Sequence, residues 1–134
     1  VPQGFEPEAD LLAACGDRVT LTNSPDEAIR GVDVVVTDTW ISMGQEEEKQ
    51  HREEAFEGFT VDSALMKQAS ESAIFLHCLP AYRGYEVSEE VLEGPQSVVW
   101  DEAENRLHAQ KALIEFLLDQ NRSIQRQGQL DIRT

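Results

Sequence analysis

Apolar positions along this chain switch repeatedly between short β-rich runs and helical spacing. Pro7 to Ala14 carries a helical period and meets Gly16, the residue best suited to a helix carboxy-terminal turn. Arg18-Val19-Thr20-Leu21-Thr22 alternates polar and apolar and predicts a strand. Ser24-Pro25-Asp26-Glu27 then opens a helix with three agreeing signals: a serine cap, proline at the first helical position and glutamate at the third. Gly31 ends it. Val32 to Thr37 contains Val34-Val35-Val36, a β-branched run expected of a strand buried on both faces of a parallel sheet. Asp38 to Gly58 is the least regular stretch, and Gly58-Phe59-Thr60-Val61 is a short strand candidate. Asp62 stands where it would cap a helix through Ala69, and Ala73-Ile74-Phe75-Leu76 reads as another buried strand. Ser88 to Leu92 predicts a short helix ended by Gly94-Pro95, and Ser97-Val98-Val99-Trp100 the last strand. Asp101, with Glu104 three residues on, opens the longest helix, to about Asn121, with Leu107, Lys111, Ile114 and Leu118 among its repeating positions.

Strands alternating with helices predict an α/β fold: a doubly wound parallel sheet of about five strands with helices on both faces. At 134 residues and 15.0 kDa the chain suits one domain, taken as 1–122, followed by a polar tail over 123–134 that is expected to fray. It opens on Val1 without an initiating methionine and reads as cut from something longer; no basic flank or apolar stretch marks a signal peptide. Two cysteines are too few for a disulfide framework, so a reducing cytoplasm is the expected setting. No run of about 18 apolar residues exists to span a membrane. The formal charge of −15, from 26 acids against 11 bases, argues against nucleic acid as a partner. Part of that charge sits in Gln45 to Glu54, a solvated helix face or a loop. His51, His77 and His108 lie far apart and no Cys-x-x-Cys occurs, so neither a metal nor a cofactor is expected.

In open parallel sheets, ligands bind beyond the carboxyl ends of the strands. Two predicted strands end in unusual sequence: Thr37-Asp38-Thr39-Trp40-Ile41-Ser42-Met43-Gly44-Gln45-Glu46, and His77-Cys78-Leu79-Pro80-Ala81-Tyr82-Arg83-Gly84. Asp38 can pair with a cationic ligand group or simply cap the next turn. Ser42 and Gly44 suit an amino-acid carboxylate, and equally a plain turn. Cys78 reads as nucleophile, ligand orienter or inert thiol, and His77 as catalyst or satisfied hydrogen-bonding residue. Leu79-Pro80 permits a cis peptide. Arg106, in the early turns of the last helix, opposes the helix dipole, a sign that something else holds it; the alternative is pairing with Glu102 or Glu104.

Taken together, Asp38 to Glu46, then His77-Cys78-Leu79-Pro80, then Glu102-Ala103-Glu104-Asn105-Arg106, in this order and spacing, closely resemble the ornithine carbamoyltransferases. The likeness runs from about Pro2 to Leu118. His-Cys-Leu-Pro with Ser-Met-Gly is quite specific to that family. Aspartate carbamoyltransferases share the fold without either motif in this form, and acetylornithine and putrescine carbamoyltransferases differ at the Ser-Met-Gly loop. The resemblance implies the Rossmann-like second domain of a transcarbamylase, with L-ornithine and carbamoyl phosphate as partners. By position it makes Asp38, Ser42 and Met43 the grip on the ornithine α-amino and carboxylate groups, and Cys78 the thiol beside the attacking amine. The backbone of Cys78 and Leu79 would contact the carbamoyl group, and Arg106 would bind carbamoyl phosphate. His77 and Pro80 would be architectural, with Leu79-Pro80 cis. The family's amino-terminal domain carries a Ser-x-Arg-Thr-type phosphate loop, and none of the arginines here stands in such a motif. The resemblance therefore implies a half that cannot turn over alone. Its parent would be a trimer, and its last helix would expose Leu113, Phe116 and Leu117. Two rivals remain: a carbamoyltransferase for acetylornithine or putrescine, and a non-catalytic α/β binding module.

Overall fold

The structure is a computed structural model. It describes residues 1–41, 44 and 46–131, and the side chains of all of these except 46 and 122–131. The chain divides into two compact units, one from Val1 to Val99 and one from Trp100 onward.

At the centre of the first unit lie β1 (Val34–Thr37) and β2 (Ile74–His77), paired in parallel with Val34 opposite Ile74 and Thr37 opposite His77. Parallel neighbours need a long crossover. Here it passes through α3 (Lys49–Ala55) and α4 (Ser63–Met66). Before the sheet come α1 (Ala9–Cys15) and α2 (Pro25–Ile29), and after it α5 (Glu89–Leu92). Polar side chains start α2, α4 and α5 at the positions where the sequence opens helices. Ser24 Oγ accepts from Glu27 N at 3.3 Å, Asp62 Oδ1 from Leu65 N at 2.8 Å, and Ser88 Oγ from Val91 N at 3.4 Å. Gly16 closes α1 at φ +56°, where a side chain would be strained. The core gathers Ile29, Val35, Val61, Met66, Phe75, Val87, Val91, Leu92 and Val99. Burying Phe75 or Leu92 contributes about 1.5–3 kcal/mol each.

Several expectations need correction. Arg18 to Thr22 is not a strand. Gly16–Arg18 forms a 3-10 turn, and Arg18 bends back to donate to the carbonyls of Cys15 and Ala14 at 3.1 and 3.3 Å. These groups finish α1, and among the described residues no strand lies alongside to pair with Val19 and Leu21, which stay exposed. Gly58 to Val61 and Ser97 to Trp100 each make a single bridge, Val61 with Val87 and Ser97 with Phe75. At the second, Phe75 N donates to Gln96 O and Val98 N to Phe75 O, which completes one rung. The chain then turns helical at Val99, with Asp101 and Glu102 in a first turn whose dipole favours acids. The sheet among the described residues therefore has two strands. Nor is β1 buried on both faces: successive side chains point to opposite faces, and Val35 is 8% exposed on one while Val36 is 65% exposed on the other. Asp62 starts a shorter helix than expected, ending at Met66. The acidic block does form a solvated helix face, with Lys49–Glu53 and Arg52–Glu48 pairs of the kind worth about 0.3–0.5 kcal/mol.

The second unit is the body of α6 (Val99–Asp131), which runs past Asn121. Leu113, Phe116 and Leu117 are exposed along it, as expected, together with Leu107, Ile114 and Leu118. Among the described residues no helix is long and apolar enough to cross a membrane.

Candidate functional site

Parallel register decides which side chains meet at the rim of the sheet. Thr37 pairs with His77, so the next residues, Asp38 and Cys78, leave the carboxyl ends of β1 and β2 side by side. Cys78 Sγ donates to Asp38 Oδ1 at 3.1 Å across 40 residues of sequence. Both side chains are exposed, so a ligand can reach them. Asp38 also serves its own turn, since Oδ1 accepts from Thr39 N at 2.7 Å and Thr39 Oγ1 donates to Ile41 O at 3.2 Å. The capping and ligand readings of Asp38 are therefore compatible. Ser42 and Met43 lie outside the described residues, and Gly44 between them and the acidic helix sits at φ +87°.

His77 is buried at the end of β2 and works with both ring nitrogens. Its Nδ1 accepts from Leu79 N at 2.9 Å, and its Nε2 meets Glu86 Oε1 at 3.0 Å. Because an amide can only donate, Nδ1 must carry the lone pair and Nε2 the proton. Leu79 adopts φ +54°, a left-handed backbone that costs a leucine about 1–2 kcal/mol. The Leu79-Pro80 bond is cis, as expected, and Pro80 itself is exposed.

Ligand atoms of Asp38, His77 and Cys78 lie within 4.8 Å of one another, a grouping hidden by their spacing in sequence. It does not make a resident metal site. A metal on His77 Nδ1 would have to expel the Leu79 amide, and one on Nε2 would have to break the buried contact with Glu86.

An aromatic cluster backs the loop after β1. Trp40 lies 5.6 Å from Phe56 and 6.1 Å from Tyr85, and Phe56 lies 5.0 Å from Phe5. Arg52 Nη1 donates to Trp40 O at 3.3 Å, tying α3 to the rim. Neither Arg52 nor Glu86 stood out in the sequence: Arg52 sits in the acidic block that reads as solvated, and no motif marks Glu86. A cavity of about 490 Å³ runs along β1 between Ile29, Val35, Phe56, Phe59 and Leu65. Such walls suit carbon rather than a zwitterion, so polar recognition belongs to the rim. Arg106 stands exposed on α6, in the second unit.

These features define an α/β domain with an acid and a thiol gathered beyond the carboxyl ends of parallel strands. Residues 1–117 match the model of the family described as aspartate/ornithine carbamoyltransferase, Asp/Orn binding domain. The chain belongs to that family. It is 63% identical over 117 residues to an ornithine carbamoyltransferase of Halorhodospira halophila, covering 87% of this chain and 39% of the relative. It is 60% identical over 129 residues to one from Wolinella succinogenes, covering 91% and 42%. Among solved structures, the anabolic ornithine carbamoyltransferase of Campylobacter jejuni superposes with a TM-score of 0.81 at 43% identity, over 90% of this chain and 42% of that one. The chain thus spans about two-fifths of the length of the curated relatives it matches.

Proposed function

We propose that this chain is the ornithine-binding half of an ornithine carbamoyltransferase, a cytoplasmic enzyme that makes L-citrulline and phosphate from L-ornithine and carbamoyl phosphate. The observation that carries the reading is the Cys78–Asp38 contact at the carboxyl rim, within a chain that matches a family's Asp/Orn binding domain. Asp38 takes the α-ammonium, while Ser42 and Met43 take the carboxylate end. Cys78 lies beside the side-chain amine. The backbone of Cys78 and Leu79 contacts the carbamoyl group.

An alkylammonium has a free pKa of about 10.4, so the amine must lose a proton before its lone pair attacks the carbamoyl carbon. A carboxylate and a thiol that fix the substrate at both ends orient that nitrogen and lower the cost of deprotonation. The new C–N bond forms through a tetrahedral centre, and the C–O bond to phosphate then breaks. Arg106 offsets the charge that builds on the carbamoyl oxygen. His77 and Pro80 hold the loop.

The remaining parts belong to the longer protein: a phosphate-binding amino-terminal domain, the strands that complete a doubly wound sheet of about five, and a homotrimer. The full-length enzyme, given carbamoyl phosphate with ornithine, acetylornithine, putrescine or aspartate in parallel, tests the reading. Citrulline from ornithine alone is expected. Turnover of another amine would overturn the substrate, and no turnover at all would favour a non-catalytic binding module.

A further inference from the structure

We infer that Glu86 is a positioning residue for carbamoyl transfer, holding the Cys78-Leu79 backbone in place through His77. Glu86 is fully buried. Its Oε1 accepts twice, from His77 Nε2 at 3.0 Å and from Tyr82 N at 2.7 Å. Its backbone is pinned from the other side, where Val61 N donates to Glu86 O at 2.9 Å. Its Oε2 is buried with no hydrogen bond.

A buried carboxylate with one orphan oxygen is costly, so its place here needs a return beyond packing. What the carboxylate supplies is a tautomer. By accepting from His77 Nε2 it keeps the proton there and leaves Nδ1 as an acceptor for Leu79 N at 2.9 Å. Leu79, left-handed at φ +54°, needs that fixed acceptor. A proton moved to Nδ1 would set two N–H groups against each other and release the turn. The Tyr82 amide ties down the far end, so one oxygen clamps both ends of the 77–82 loop. The hydrogen bonds of the Glu86 carboxylate run to His77 and Tyr82, so it acts on the Cys78-Leu79 backbone from behind.

This role rests on the carbamoyltransferase reading. Glu86→Leu would take the acceptor from the buried His77 Nε2 and the part-buried Tyr82 amide and invites unfolding, so the informative variants are Glu86→Gln and Glu86→Asp in the full-length enzyme. Gln keeps an acceptor oxygen at the same reach. Asp keeps the charge but draws it back by one methylene, roughly 1.5 Å, and cannot serve both donors. Expected for Gln is a kcat within about threefold of wild type. For Asp, a misplacement of this size should lower kcat by on the order of 10²-fold, with KM for both substrates nearly unchanged. Melting temperature and oligomeric state should stay near wild type in both.

A normal kcat for the folded Asp variant would overturn the role. So would a Gln variant as impaired as Asp, since charge rather than acceptor geometry would then matter. An Asp variant that does not fold would make Glu86 a purely structural requirement and also count against it. Wild-type enzyme that forms no citrulline is a separate failure, visible without any variant; it sinks the carbamoyltransferase reading and this role with it.

Discussion

The 3.1 Å contact between Cys78 and Asp38 sets different expectations for each partner. Asp38→Asn keeps an oxygen for Thr39 N, so the local turn survives. It removes the charge that would face an α-ammonium. In the full-length enzyme, KM for ornithine should rise by about 10- to 100-fold, the worth of a charge-assisted hydrogen bond, while KM for carbamoyl phosphate stays put. Steady-state kinetics in both substrates checks this, and an unchanged ornithine KM would leave Asp38 as a cap alone. Cys78→Ala removes an exposed side chain, so the melting temperature should barely move, a change within about 0.5 kcal/mol. Citrulline formation and ornithine binding should both suffer; unaltered kinetics would return Cys78 to an inert thiol. Arg106→Ala tests the part proposed for that guanidinium in offsetting charge on the carbamoyl oxygen: one such donor is worth about 3 kcal/mol, so turnover should fall by on the order of 10²-fold. Near-normal turnover would refute that role.

At the scale of elements, signals carried by one or two local residues were legible and those that depend on a neighbour were not. Ser24, Asp62 and Ser88 each cap the helix they announce, because a cap needs only its own side chain and an amide three residues on. Asp62→Ala should therefore cost about 1 kcal/mol, read as a lower urea midpoint without a change in slope. A strand, by contrast, exists only against a partner. Val19 and Leu21 alternate as a strand should, yet among the described residues no strand pairs with them, and Gly58 to Val61 and Ser97 to Trp100 shrink to single rungs for the same reason. The site divided likewise. Asp38 and Cys78 were visible as strand-end residues, but their contact follows from the β1–β2 register, which no local pattern encodes. Glu86 was invisible because its signal is burial, and an acid between Tyr85 and Val87 in an acidic chain reads as solvated.

For the whole molecule, charge and exposed apolar surface point the same way. Carbamoyl phosphate is an anion, while the chain carries −15, with 26 acids against 11 bases. Such a field disfavours an anionic ligand unless cations converge on it. Arg106 and backbone amides are what this chain is proposed to offer, for the carbamoyl end rather than the phosphate. Val36 on β1 and Leu113, Phe116 and Leu117 on α6 add apolar surface that a folded protein normally covers. The chain spans about two-fifths of the length of its curated relatives, and the proposed phosphate-binding domain is not within it. The 134-residue chain alone should therefore form no measurable citrulline from ornithine and carbamoyl phosphate, under conditions where the full-length enzyme does. A direct citrulline assay on both proteins, at matched concentration and with a circular-dichroism check that the short chain is folded, decides the matter. Turnover by the short chain at a rate near that of the full-length enzyme would mean that the phosphate needs no further cations, and that the division of the active site between two halves is wrong.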